Sequence, residues 1–339
     1  MATGFPGLPA APAEADLPAG WLAAEARAAA RLARVAARFG ALDDRLARGP
    51  EGWRQRLALI ETAGLGWLAG ARLAEDRLAL WLARRGGGTG AAAPALQRAG
   101  WAYRRLTGGP GPEPGSEPGP EPGPEGGAAA APGAALVAFL GRQAVAGPAP
   151  AAGAPLAERA AAWAAVMQRA GALHPLTRAC FAFWLWPRAG IEPQDGRFEG
   201  AVVAARIAAA EARGGAVFAP LAACGAAALR SGGTPPDRLE AWLSGLEQGL
   251  IASLRRLDRI ESWQAGATAA TADLSGRTPA RLIAALAARP LVSAPVAEAL
   301  TGASRAAVQR NLALFEARGL VREVTGQGRF RLWRAAAPA

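Results

Sequence analysis

Apolar positions recur at helical spacing over most of this 339-residue chain. From Trp21 to about Arg85, alanine, leucine, arginine and glutamate alternate with few breakers. Leu57, Ile60, Gly64, Trp67, Leu68, Leu78, Trp81 and Leu82 keep a helical period there. Gly64, Gly66 and Gly70 interrupt it, at a cost of about 1 kcal/mol each, which close helix approach would offset. Gly86–Gly90 reads as a break and Pro94–Leu106 as a short helix. Helical character resumes at Leu136–Leu140, Leu156–Ala170 and Leu176–Trp186. The longest pattern runs from Pro236 to about Ala265, with Leu239, Leu243, Leu246, Leu250, Leu254, Leu257 and Ile260 at steps of four or three. Such a stripe is either a dimer seam or the inner face of a long bundle helix, and the bundle helix is favoured. Arg255, Arg256 and Arg259 read as its solvated side.

From Arg277 onward the pattern shortens. Leu282, Ile283 and Leu286 mark one helix, Val296 and Leu300 a second, and Val308, Leu312 and Phe315 a third, all expected to share a core. Ser293 and Ser304 stand where a serine would cap an orphan amide of the first helical turn. Thr301-Gly302-Ala303 is a connection short enough for a helix-turn-helix, with a glycine able to take positive φ. Gly319 follows Arg318 as a helix end. Leu320–Thr325 and Arg329–Trp333 flank Gly326-Gln327-Gly328 and read as a two-stranded hairpin. The expected fold is mostly α: a helical bundle body followed by a C-terminal winged helix-turn-helix with a small β-hairpin. The expected divisions are a loose tail (1–20), an N-terminal helical region (21–106), a Pro/Gly/Glu linker (107–135), a central helical domain (136–276) and the winged helix (277–335). The linker repeats Glu113, Glu117, Glu121 and Glu125 every four residues and offers too little apolar surface to order itself.

Charge then singles out the same C-terminal stretch. Between Arg277 and Arg334 ten arginines face Glu298, Glu316 and Glu323, so the segment carries +7 of the chain's net +11. All 38 basic residues are arginine, and the abundance of Ala, Gly, Pro and Arg looks like a GC-rich coding bias, so the local cluster matters more than the total. A basic local field suits nucleic acid. Ser304, Arg305, Ala306, Gln309 and Arg310 lie on the outward face of the third helix. Arg suits guanine, Gln suits adenine, and the helix start suits a phosphate. Arg322, Arg329, Arg331 and Arg334 give the wing a basic surface for phosphates. The expected partner is double-stranded DNA, with a homodimer as an open option. A winged helix used only for protein contacts is the alternative, because a fold does not fix a function.

Other chemistry is thinly represented. Two cysteines, Cys180 and Cys224, and one histidine, His174, offer no zinc spacing, and no metal or cofactor is expected. Lone cysteines fit a reducing cytoplasm. Met1–Gly20 lacks signal-peptide features, and the most apolar run, Ala179–Trp186, is too short to span a bilayer.

Two resemblances follow from particular residues. Pro290–Ser293, Arg305–Gln309 and above all Leu320–Trp333 resemble an uncharacterised alphaproteobacterial family, frequent on rhizobial plasmids. Its members pair a helical domain of unknown function with a C-terminal helix-turn-helix DNA-binding domain. The similarity covers about Ala201–Arg334 and implies a DNA-binding, regulatory protein. Leu173–Ala182 resembles a degenerate Fic-type AMP-transferase loop. His174 and Pro175 match, but Arg178 occupies the acidic position and Cys180 the Asn position. Ala179, Phe181 and Ala182 replace the glycines and Arg. That resemblance implies His174 as a catalytic base only in a divergent or inactive nucleotide-transfer protein, since the phosphate partners are missing. The other reading of His174-Pro175 is the start of a buried helix.

Overall fold

The helical patterns fold as helices, but the breakers divide them more finely than the periods suggest. The computed structural model describes residues 17–83, 93–108, 111–113, 133–141, 154–191, 197–230, 232–326 and 331–336. The N-terminal stretch forms α1 (Leu17–Arg27), α2 (Ala29–Arg48), α3 (Gly52–Leu65), α4 (Glu75–Ala83) and α5 (Ala93–Thr107). Leu17–Gly20, expected in the tail, open α1, whose Pro18, Trp21 and Ala24 are buried. The rest of that tail and the expected break at 86–90 lie outside the described residues. Two of the three interrupting glycines follow the end of α3: Gly66 starts a 3-10 turn, and Gly70 closes it at φ 70°. At Gly64 an added Cβ would sit 2.7 Å from the Cβ of Ala222, so close packing does explain that position.

The body continues with α6 (Ala134–Leu140), α7 (Leu156–Arg169), α8 (Pro175–Leu185), α9 (Phe198–Ala208), α10 (Gly225–Leu229) and α11 (Pro235–Ala270). Thr234 and Asp237 form the capping box of α11: the Thr234 N–H and hydroxyl donate to the Asp237 carboxylate at 2.9 and 2.6 Å, and the Thr234 side chain accepts from the Asp237 N–H. Leu239, Leu243, Leu246, Leu250 and Leu257 are all buried within this chain. The leucine stripe is therefore a bundle face. It packs on α1 and α2, where Leu32, Val35, Phe39, Leu42 and Leu46 are buried. Above that seam Arg31, Arg38 and Arg45, seven residues apart, meet Glu240, Glu247 and the Asp258–Glu261 pair at 2.5–3.1 Å. Partly exposed pairs of this kind add little each; they set the register of α2 along α11.

One hydrophobic core runs from Trp21 to Leu257, and residues of both the 21–106 and 136–276 stretches contribute to it. Within it Glu61 of α3 is buried and accepts hydrogen bonds from the N–H groups of Leu221 (2.7 Å) and Ala222 (2.9 Å). Burial pushes its carboxyl up to about 8, against the opposing effect of those two amides.

A second core belongs to the C-terminal unit: α12 (Thr278–Ala288), β1 (Val292–Ser293), α13 (Ala294–Thr301), α14 (Arg305–Ala317), β2 (Val321–Glu323) and β3 (Leu332–Ala335). This order is that of a winged helix-turn-helix. Two corrections apply. The sheet has three strands, in the order β1-β3-β2, all antiparallel. The extended backbone of Ser293 (φ −91°, ψ 162°), required of a helix cap, aligns Val292 and Ser293 with Trp333 and Leu332. The strands are also shorter and shifted relative to Leu320–Thr325 and Arg329–Trp333, with Arg322 opposite Arg334. Secondly, Val296 and Leu300 point outward, 36% and 44% exposed, and α13 buries Ala297 and Thr301 instead. The short Thr301-Gly302-Ala303 turn draws α13 so close that only small side chains fit underneath.

The two cores share α11, whose Trp263 and Ala267 belong to the second. The boundary drawn at residue 277 thus cuts through packed contacts. Trp263 Nε1 donates to the Leu320 carbonyl (2.8 Å), and Arg318 forks onto Asp273 at 2.7 Å on both oxygens. From α3, Arg56 Nε donates to the Ala287 carbonyl (3.0 Å) and Nη2 to the carbonyls of Leu286 and Arg289, closing the C-terminal end of α12. At Gly52 a Cβ would overlap the Ala288 carbonyl.

Most of the 107–135 linker lies outside the described residues. Its ends do not: Thr107 completes α5, and Pro112, Glu113, Gly133 and Ala135 line one cavity together. Glu113 pairs with Arg178 at 3.4 Å. Because the two ends already lie at one site, replacing residues 114–132 by a few Gly/Ser residues should leave Tm nearly unchanged by scanning calorimetry. A fall of many degrees would show that this segment is packed.

Candidate nucleic-acid interface

The helix-turn-helix is assembled by local chemistry. Ser293 Oγ accepts from the Val296 N–H and Ser304 Oγ from the Ala307 N–H, both at 3.3 Å. Gly302 takes φ 65°, its N–H donating to the Glu298 carbonyl, and Arg281 donates to the Thr301 carbonyl at 2.8 Å. Gly319, at φ 70°, ends α14. Its N–H donates to the Glu316 carbonyl (3.0 Å), and that of Leu320 to the Phe315 carbonyl (2.8 Å), the paired bonds of a Schellman end. Val308, Leu312 and Phe315 are fully buried, which fixes the rotation of α14 about its axis.

The opposite face is consequently presented to solvent. Ser304, Arg305, Ala306, Gln309 and Arg310 are all exposed. They follow helical spacing, with Gln309 one turn after Arg305 and Arg310 one turn after Ala306. The five are brought together as the sequence suggests, but they are not equivalent. Arg305 Nε donates to Glu298 of α13 at 2.8 Å, and this hydrogen bond raises the guanidinium above its ordinary value. Arg310 makes no hydrogen bond or ion pair among the described residues.

The wing arginines are differently placed. Arg322 and Arg334, side by side in the β2–β3 register, both reach Asp76 of α4, Arg322 at 2.9 Å. Arg331 pairs with Glu316 at 3.1 Å and lies over the Trp333 ring, 5.0 Å from its centroid. Arg329 lies outside the described residues. Arg322 and Arg331, expected on phosphates, therefore hold carboxylates of this same chain. Sequence reasoning missed Asp76, some 246 residues away from Arg322 along the chain, and also Arg56, which lies beneath the end of α12 rather than on this face. Neither sits in any local motif.

His174 stands in the helical body, at the start of α8. It caps α8, Nδ1 accepting the Leu176 N–H at 3.2 Å, while its own N–H donates to Glu25 (3.0 Å). Burial lowers its pKa. Arg178 faces Glu113, and Cys180 is buried with its thiol pushed up by burial. His174-Pro175 is the start of a buried helix. Among the described residues no cluster of three His, Cys, Asp or Glu could hold a metal ion, and no helix is long and apolar enough to cross a membrane.

Compared with protein-family models and with curated proteins, the chain matches none. Any functional reading rests on the site itself.

Proposed function

We propose that this protein binds duplex DNA through α14 and acts as a regulator of transcription. One observation carries the reading: a capped helix in a helix-turn-helix, held by its buried face, presents Gln309 and Arg310 to solvent, and Arg310 has no partner within the described chain. Those are residue types that read base edges from a major-groove helix. The local excess of arginine would supply the salt-dependent attraction to phosphate. Arg305 would help only by leaving Glu298. A cytoplasmic location accompanies this reading, in keeping with two unpaired, buried cysteines.

The test is fluorescence anisotropy of the full chain with labelled duplexes over a range of salt. Affinity should fall steeply as salt rises. A folded protein that binds no duplex even at low salt would eliminate the proposal. On a selected site, Gln309→Ala should cost about 1–3 kcal/mol and relax sequence preference, whereas equal losses on selected and random DNA would exclude base reading by Gln309.

A specific observation favours a second reading, in which the winged helix binds protein. Val296 and Leu300 stand exposed one turn apart on α13. Were that the main role, Leu300→Ser would abolish partner binding while Arg310→Ala would not.

A further inference from the structure

Between the helical body and the winged helix lies a cavity of about 160 Å³. Its apolar lining includes Leu57, Ile60, Leu257 and Trp263 from the body helices and Leu291 from the loop after α12. The same lining carries six charged residues: Arg56, Arg256, Arg259 and Arg334 against Glu75 and Asp76. The pairing is uneven. Asp76 is shared by Arg334 and Arg322, and Glu75 meets Arg256 at 3.3 Å on both oxygens, long for a bidentate pair. Arg56 spends its hydrogen bonds on the neutral carbonyls of α12, and Arg259 makes no hydrogen bond or ion pair among the described residues. Two cations on this cavity thus lack a carboxylate partner. Burial and the neighbouring Arg334 charge pull Arg56 down to about 10, so cationic crowding is felt there.

We propose that this cavity binds a small organic carboxylate with an apolar body about the size of one ring. A buried cavity of about 150 Å³ lined by aliphatic and aromatic side chains admits benzene; this half-open one has similar volume, and its apolar lining suits a ring or a branched aliphatic group. The carboxylate would then sit at the arginine-rich side, where a guanidinium can fork onto both oxygens. The walls come from both halves of the molecule: Leu57 and Leu257 from the body, Leu291 and Arg334 from the C-terminal unit. A bound acid therefore touches both and favours the docked arrangement. Occupancy is independent of whether α14 meets DNA.

The experiment is thermal denaturation and calorimetric titration of the full chain with benzoate, phenylacetate and 4-methylpentanoate, each beside its primary amide, at constant ionic strength. At least one acid should raise Tm by about 2 °C or more near saturation while its amide does not. Leu291→Trp, which fills the cavity from a partly exposed position, should abolish binding. Arg259→Gln, at an exposed side chain with no partner to lose, should weaken binding about tenfold with unchanged Tm in the absence of ligand. Absence of binding by all three acids, equal binding of acid and amide, or full affinity in Arg259→Gln would each overturn the proposal. The last comparison stands even where Leu291→Trp fails to fold.

Discussion

Replacing Arg56 by methionine is expected to uncouple the winged helix from the body. The carbonyls of Leu286, Ala287 and Arg289 end α12 facing α3, and Arg56 supplies their donors. Methionine fills similar space but donates nothing, so partly buried carbonyls lose their partners at a cost of about 3 kcal/mol. The loss falls on the junction, because neither core contains Arg56. Scanning calorimetry should therefore show a single transition for the native chain and two for the variant, with the C-terminal unit melting first. Arg56→Lys keeps the charge but lacks the planar fork and should restore the single transition only in part. Gly52→Ala should give the same separation by a steric route, since its Cβ would overlap the Ala288 carbonyl. One transition at the native Tm in Arg56→Met would show that the contacts of Trp263 and Arg318 suffice alone.

The second large effect is expected at Glu61. Folding takes its carboxyl from an ordinary 4.5 to about 8. Between those values the folded chain holds a proton that the unfolded chain has released. Stability contributed by this group is therefore full below the lower value and declines as pH rises through the window. The slope is at most about 1.4 kcal/mol per pH unit. Glu61→Gln cannot titrate, and its amide oxygen can still accept from Leu221 and Ala222. Denaturant unfolding across about pH 5–9 should show this downward slope in the native chain and its loss in the variant, with the variant the more stable at the alkaline end. Parallel curves would place the titration elsewhere.

The winged helix was legible because its signals are local. Ser293, Ser304, Gly302 and Gly319 each act within a few residues, and the caps and the Schellman end fall where those residues stand. The leucine stripe of α11 was likewise readable from its spacing. Helix α9 was not, since every residue from Phe198 to Ala208 is buried, Glu199 and Arg206 included, and a helix buried on all sides has no single apolar stripe to detect. Val296 and Leu300 misled for the converse reason: apolar residues at helical spacing imply a core face only when the neighbouring helix leaves room for them. Strand β1 escaped because two residues carry no period. At the candidate interface the exposed face of α14 was readable from what it must bury. The partners of its arginines were not. Asp76 comes to Arg322 and Arg334 only through the packing of the body against the C-terminal unit, which no periodicity encodes.

Helix α11 runs unbroken from the first core into the second, from Leu257 to Trp263 and on to Ala267. Each residue of an α-helix turns the chain by about 100° and advances it by about 1.5 Å. The number of residues between Leu257 and Trp263 therefore acts as an angular setting. Adding one would swing Trp263, and with it the azimuth of the whole C-terminal unit, more than a quarter turn around the body. Adding seven would bring it back almost in phase, farther out by about 10 Å. Chain length in this stretch is thus quantised: the direction in which α14 faces is counted out in residues along a shaft that neither unit can twist alone.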